Sequence, residues 1–297
     1  MSLNSANFDV SFDIDRIEPD ERHYSDAQSL SGVDWRIGYI YTKDNETLRF
    51  GFLKRKEQIV LFHATIRYNY TLCVNDKCIF QENVTKRCNP FFCTDHNFEI
   101  PTGNVTIRAN LIIKSIDLIH LDQYNEETNN IKIELKDGKV FYVSKEVLSL
   151  HSPYFANMLK SDHFIEGRTK VVNLTDVDYL AVSKLIYRMY GFGVPYAQYP
   201  REYLERILEL AHRFQCTLMV DEIEDFLLKK PLEERKKWFQ EADRFDMVLL
   251  MESLLNELPI GEIKEIYKSA TDNGSQGILK TLSVLTIEAM MKRICIE

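Results

Sequence analysis

Between Phe8 and Ile113 the apolar residues come in short runs, Phe8–Phe12, Trp35–Tyr41, Ile59–Ile66, Tyr70–Val74 and Val105–Ile113, separated by turn formers. Val105-Thr106-Ile107-Arg108-Ala109-Asn110-Leu111 alternates with period two, which places one face of a strand in a core and the other in water. Runs of this kind predict an all-β sandwich over residues 7–115. Ile116, Leu118, Ile119 and Leu121 follow, and their spacing admits a short helix before the polar cluster that ends at Asn129. Residues 116–129 are therefore expected to be a linker that contains a helix.

The pattern then sharpens. Ile131–Leu135 and Val140–Val143 flank Lys136-Asp137-Gly138-Lys139, and Asp-Gly between two β-branched runs predicts a hairpin with a type I′ turn, φ being positive at both central residues. Val147, Leu148 and Leu150 fit a helical turn, and Ser152-Pro153 opens a second helix with an N-cap acceptor and a preset φ. Tyr154, Phe155, Met158 and Leu159 line its face. Val171–Leu174 reads as a strand. Helical stripes follow at Val182, Leu185, Ile186 and Met189, closed by Gly191 in a left-handed cap, then from Pro200 to Phe214 and from Thr217 to Leu227. This mixture of a small sheet with helices is expected over residues 130–230. From 231 to 297 the period is helical throughout. Trp238, Phe239, Ala242 and Phe245 form one stripe, Met247 to Leu258 another, then Ile263, Ile266, Tyr267 and Ala270, and last Ile278, Leu282, Leu285 and Ala289. Each stripe needs a neighbour, so these helices should stack in pairs.

The hairpin, the joint Leu148-Ser149-Leu150-His151-Ser152-Pro153-Tyr154-Phe155, Asn157-Met158-Leu159 and the strand Val171-Val172-Asn173-Leu174 resemble a BTB/POZ domain. Two positions depart from that family's common pattern. Asn130 stands where an Asp is frequent and Ser144 where a His is frequent, and the departure weighs against the transcriptional repressors that use a charged pocket there. Gly32-Val33-Asp34-Trp35-Arg36-Ile37 and Phe50-Gly51-Phe52-Leu53 resemble the MATH (TRAF-homology) sandwich, with Trp35 read as a core anchor. Ala242-Asp243-Arg244-Phe245 is similar to the start of the BACK, or 3-box, helices that follow BTB domains. The resemblances imply three functional elements. Phe164-Ile165-Glu166 corresponds to the hydrophobic–any–Glu triplet with which some BTB domains hold cullin-3, the alternative being that Phe164 tucks into the local core. Leu118, Ile119 and Leu121 correspond to a helix exchanged between two subunits, the alternative being a linker packed on its own domain. The sandwich would present an unidentified protein substrate.

Charge adds exclusions. The net charge is −8, with 14 basic and 16 acidic residues up to His120 and 23 and 29 after it, so neither half has the basic footprint of nucleic-acid binding. No run of about 20 apolar residues marks a membrane span, and no basic flank with an apolar core marks a signal peptide. A cytoplasmic or nuclear protein is expected. The Asn-x-Thr triplets at Asn45, Asn69, Asn83 and Asn104 are then read as chance. Cys73-x4-Cys78 and Cys88-x4-Cys93, near His63 and His96, admit a thiolate zinc site. The plainer reading is a hairpin turn at Val74-Asn75-Asp76-Lys77 with reduced cysteines on its strands, and no metal or cofactor is expected. The chain has no HExxH, Walker loop, Gly-x-Ser-x-Gly or dinucleotide turn, and Ser152 beside His151 is better used as a cap than as a nucleophile. The expected function is thus a dimeric, non-catalytic cullin-3 adaptor for ubiquitin transfer, the alternative being a BTB scaffold that binds no cullin.

Overall fold

The computed structural model describes residues 5–55, 59–89, 96–100, 102–160, 164–271 and 282–296. The chain divides into two compact units, Met1–Lys132 with Val140–Val143, and Ile133–Lys139 with Ser144–Glu297.

Among the described residues up to His120 lie the strands β1 (Ser5–Asp13), β2 (Arg22–Tyr24), β3 (Gln28–Leu30), β4 (Val33–Thr42), β5 (Thr47–Lys54), β6 (Val60–Val74), β7 (Lys77–Cys88), β8 (His96–Glu99) and β9 (Asn104–His120). They form a four-stranded sheet in the order β1-β9-β6-β7 and a five-stranded sheet in the order β2-β4-β5-β8, with β3 also on β4. Their inner faces enclose an aromatic core. Trp35, Phe52, Phe62 and Tyr70 are fully buried, Phe52 stacks on Tyr70 at 5.0 Å between ring centroids, and Trp35 meets Phe62 at 5.3 Å. Trp35 is the core anchor expected of it, although its indole N–H has no acceptor among the described residues. The β6–β7 turn falls at Asn75-Asp76, both with positive φ, so the residues between the two cysteines turn a hairpin and Cys73 lies opposite Cys78.

Two expectations for this region need correction. The runs Ile59–Ile66 and Tyr70–Val74 are not separate strands: from Val60 onward both belong to the single 15-residue β6. The helix expected from Ile116, Leu118 and Leu121 is absent as well, because β9 runs on to His120 with Leu118 opposite Phe62 and Ile119 opposite Leu61. The first half of β6 has buried backbone that must find hydrogen bonds, and only an extended partner supplies a continuous ladder. A bulge at Lys114, where the register steps from Ile113↔Ile66 to Ser115↔Thr65, turns the strand so that it can do so. Leu121 ends the run fully buried, its N–H donating to the carbonyl of Ile59 at 3.0 Å. The segment assigned to subunit exchange is thus part of the sandwich's own sheet.

A three-stranded sheet follows, in the order β11-β10-β12, made of β10 (Ile131–Leu135), β11 (Val140–Val143) and β12 (Val171–Leu174). Its hairpin turn differs from the type I′ expectation: Gly138 has φ +76° whereas Asp137 is not among the residues with positive φ. The N–H of Gly138 donates to Leu135 and that of Leu135 to the carbonyl of Lys139. This is a type I turn closed by a glycine bulge, the other favoured solution for a short hairpin. The helices are α1 (Lys145–His151), α2 (Pro153–Lys160), α3 (Ile165–Thr169), α4 (Tyr179–Met189), α5 (Arg201–Arg213), α6 (Thr217–Leu228), α7 (Leu232–Arg235), α8 (Phe239–Arg244), α9 (Val248–Glu257), α10 (Ile260–Thr271) and α11 (Val284–Ile296). The stripes of α4, α8 and α9 are buried where the spacing places them, and Gly191 caps α4 at φ +85°. The last stripe is different. Ile278 lies outside the described residues, Leu285 is exposed, and α11 turns Thr286 and Met290 inward. That rotation follows from its cap, for Ser283 and Thr286 hydroxyls both donate to the Asp243 carboxylate at 2.6 Å. No helix among the described residues is long and apolar enough to cross a membrane.

Candidate docking surface

The joint between α1 and α2 is fixed by Ser152. Its fully buried hydroxyl accepts the N–H of Phe155 at 3.1 Å, capping α2, and donates to the carbonyl of Phe214 at the end of α5. Phe155 stacks on Phe214 with centroids 4.9 Å apart. The hydroxyl that sequence placed beside His151 is therefore consumed by structure at both its donor and acceptor ends.

Ser144 caps α1 by accepting the N–H of Val147 and donates to Glu146 at 2.8 Å. The backbone N–H at the helix start, with Ser144, holds the Glu146 carboxyl below the usual range. The Ser144 N–H in turn donates to the Tyr190 hydroxyl at 2.8 Å, and burial pushes the pKa of that phenol up. A polar cap thus closes the start of α1.

On this support stands α3. Phe164 is its N-cap residue and makes no side-chain cap bond, and Lys170 ends the helix at φ +58° with its N–H on the carbonyl of Glu166. Thr169 adds a hydroxyl bond to the carbonyl of Ile165 at 2.9 Å. These local bonds fix the turn without using its apolar side chains. Phe164 is 50% exposed and Ile165 62%, while Glu166 is half-buried. Phe164 therefore does not tuck into the local core. The arrangement presents two apolar groups and a carboxylate from one short helix, which is chemistry for holding a protein surface.

The other sequence-derived candidates are placed elsewhere. Leu118 and Ile119 lie in β9, Leu118 packed against the sandwich core with its Cδ1 2.8 Å from where a Cβ on Gly32 would stand. Leu121 is buried. Cys73, Cys78 and Cys88 carry free thiols, Cys93 lies outside the described residues, and no three metal-ligating side chains cluster among the described residues.

Sequence reasoning missed the polar fastenings of the helices. Glu224, buried on α6, accepts the N–H of Leu250 at 2.8 Å and so caps α9 from a distant helix. Arg188 grips Glu222 through Nε and Nη2 at 2.6–2.8 Å, and Arg235 holds Glu257 through Nη1 and Nη2 at 2.8 and 2.6 Å. A lone Glu within the apolar stripe Met219, Val220, Ile223, Leu227 was the available signal for the first.

Comparison with known proteins agrees with this layout. The family model for the BTB/POZ domain matches residues 121–231. BTB and MATH domain-containing protein 15 of Caenorhabditis elegans is 26% identical over 156 residues, 52% of this chain and 55% of that protein. The chain thus spans about half the length of the curated relative it matches.

Proposed function

We propose, from the premise that this chain has the MATH–BTB architecture, that it is a non-catalytic adaptor which docks on cullin-3 through α3 and brings a substrate held by the sandwich to the ubiquitin-transfer machinery. The observation that carries this reading is the exposure of Phe164 and Ile165 beside Glu166 on a helix whose own bonds do not need them. Apolar anchors with one oriented polar group are what a protein interface concentrates its affinity on. Tethering alone then performs the function, because it raises the effective concentration of a substrate lysine near the loaded ubiquitin carrier. Self-association through the central domain would double the sites on each particle and add avidity. That part of the proposal stands without an exchanged helix at residues 116–121.

The test is co-purification with cullin-3. The wild-type chain is expected to bring cullin-3 with it, while F164A/E166A retains its particle mass by light scattering and brings none. Equal recovery by both proteins refutes docking through α3. A dimeric wild type that never recovers cullin-3 is instead a scaffold.

A further inference from the structure

The outer face of the four-stranded sheet carries an arrangement that neither the fold nor the docking reading uses. Pairing sets Asn7, Asn110, Asn69 and Asn83 side by side in one row across β1, β9, β6 and β7. Asn110 donates its side-chain N–H to Asn7 at 2.8 Å and its backbone N–H to the Asn69 oxygen at 3.2 Å, and Arg67 donates to the Asn83 oxygen at 3.3 Å. The amino groups of Asn69 and Asn83 have no acceptor among the described residues.

Cations stand next to this row. Arg67 lies opposite Thr85, so Arg87, two residues on along β7, is its diagonal neighbour on the same face. Lys114 is the extra residue of the β9 bulge, beside Ser115, which pairs with Thr65 as Arg87 does. All three are exposed, and none is in an ion pair among the described residues. The carboxylates of the face among the described residues are Asp9, paired with Arg108 at 3.7 Å, Asp13, at the end of β1 and paired with Arg16 at 3.2 Å, and Asp117, opposite His63. In a chain of net charge −8, three cations without an ion-pair partner among the described residues, beside a row of carboxamides, are a local reversal of the background.

We infer that this face is a docking surface for an acidic, extended polypeptide segment of the recruited protein. The guanidinium groups of Arg67 and Arg87 take carboxylates, which their planar forks match, and Lys114 adds a point charge. The carboxamide row adds the amino groups of Asn69 and Asn83, which can donate to main-chain carbonyls of a bound segment. The inference rests on the adaptor reading only in calling the occupant a substrate.

The experiment is fluorescence anisotropy of a short labelled Glu/Ser peptide titrated with the full chain, without cullin. Binding is expected at low ionic strength and should weaken as salt screens the exposed charges. R67E/R87E is expected to weaken it about tenfold or more, and N69A/N83A a few-fold, with both variants unfolding at the wild-type temperature. R67Q/R87Q, which removes charge without reversing it, replaces the first variant if that one misfolds. No binding by wild type, or equal binding by R67E/R87E, overturns the inference. So does single-stranded DNA or a phosphatidylserine vesicle binding as tightly as the peptide with no loss in N69A/N83A, since that is general polyanion attraction. Cullin-3 recovery by R67E/R87E is read separately, so a failure of the adaptor proposal is distinguishable from a failure of this one.

Discussion

Ile116–Leu121 and Phe164–Glu166 are alike as sequence, each a short apolar run beside a polar loop, yet the structure uses them in opposite ways. The first has an unpaired strand, the start of β6, waiting for it, so its backbone joins a ladder and Leu121 is sealed in. The second closes its backbone bonds within one helical turn, leaving Phe164 and Ile165 half or more exposed. Whether an apolar side chain is available for a partner therefore depends on where the backbone finds its hydrogen bonds, and hydrophobicity alone does not decide it.

Substitution separates the two segments most widely. Leu121→Ala should lower unfolding stability by about 2–5 kcal/mol, as removal of a buried side chain does. Ile165→Ala should change it by no more than about 0.5 kcal/mol. Urea unfolding of both variants checks this, and similar losses in the two would end the distinction. The same contrast applies to polar groups. Glu224→Ala leaves the buried N–H of Leu250, in the first turn of α9, without its acceptor and should cost about 1–3 kcal/mol, read as a lower urea midpoint with circular dichroism.

A smaller effect is expected from acid. The Arg235 guanidinium, with Ser253, holds the Glu257 carboxyl down at about 2, against an ordinary value of 4.5. Because the folded pKa is depressed, the stability this contributes is present above the unfolded pKa and is lost as pH falls from about 4.5 towards 2. Urea midpoints measured across that window should therefore fall less steeply in E257Q than in wild type, and parallel slopes would contradict the pairing. The smallest change concerns the residue that ends α3. Lys170 holds a left-handed conformation, so Lys170→Gly should shift stability by no more than about 1 kcal/mol and leave the neighbouring docking residues in place, as amide chemical shifts of 164–169 would report.

Much of this architecture was legible because local patterns agreed with global packing. Alternation marked β9 as far as Ile113, Ser152-Pro153 marked the start of α2, and Gly191 marked the end of α4. What escaped depended on residues distant in sequence. Nothing in Ile116–His120 records that Val60–Thr65 needs a partner, and the bulge at Lys114 that reconciles the two strands has no local signature. Asp137-Gly138 announced a hairpin correctly but fits two turn geometries, and the hydrogen bonds of Leu135 chose between them. The orientation of α11 was set by Asp243 some forty residues earlier. At the candidate surface the triplet itself could be read by resemblance, whereas its exposure followed only from the bonds that close α3.

Calorimetric titration of the purified chain with the N-terminal helical region of cullin-3 tests the central claim most directly. Saturable heat at one site per chain, abolished in F164A/E166A while the unfolding temperature stays at the wild-type value, is the predicted result. Absence of heat from the wild-type chain, or an unchanged titration with the variant, would contradict it.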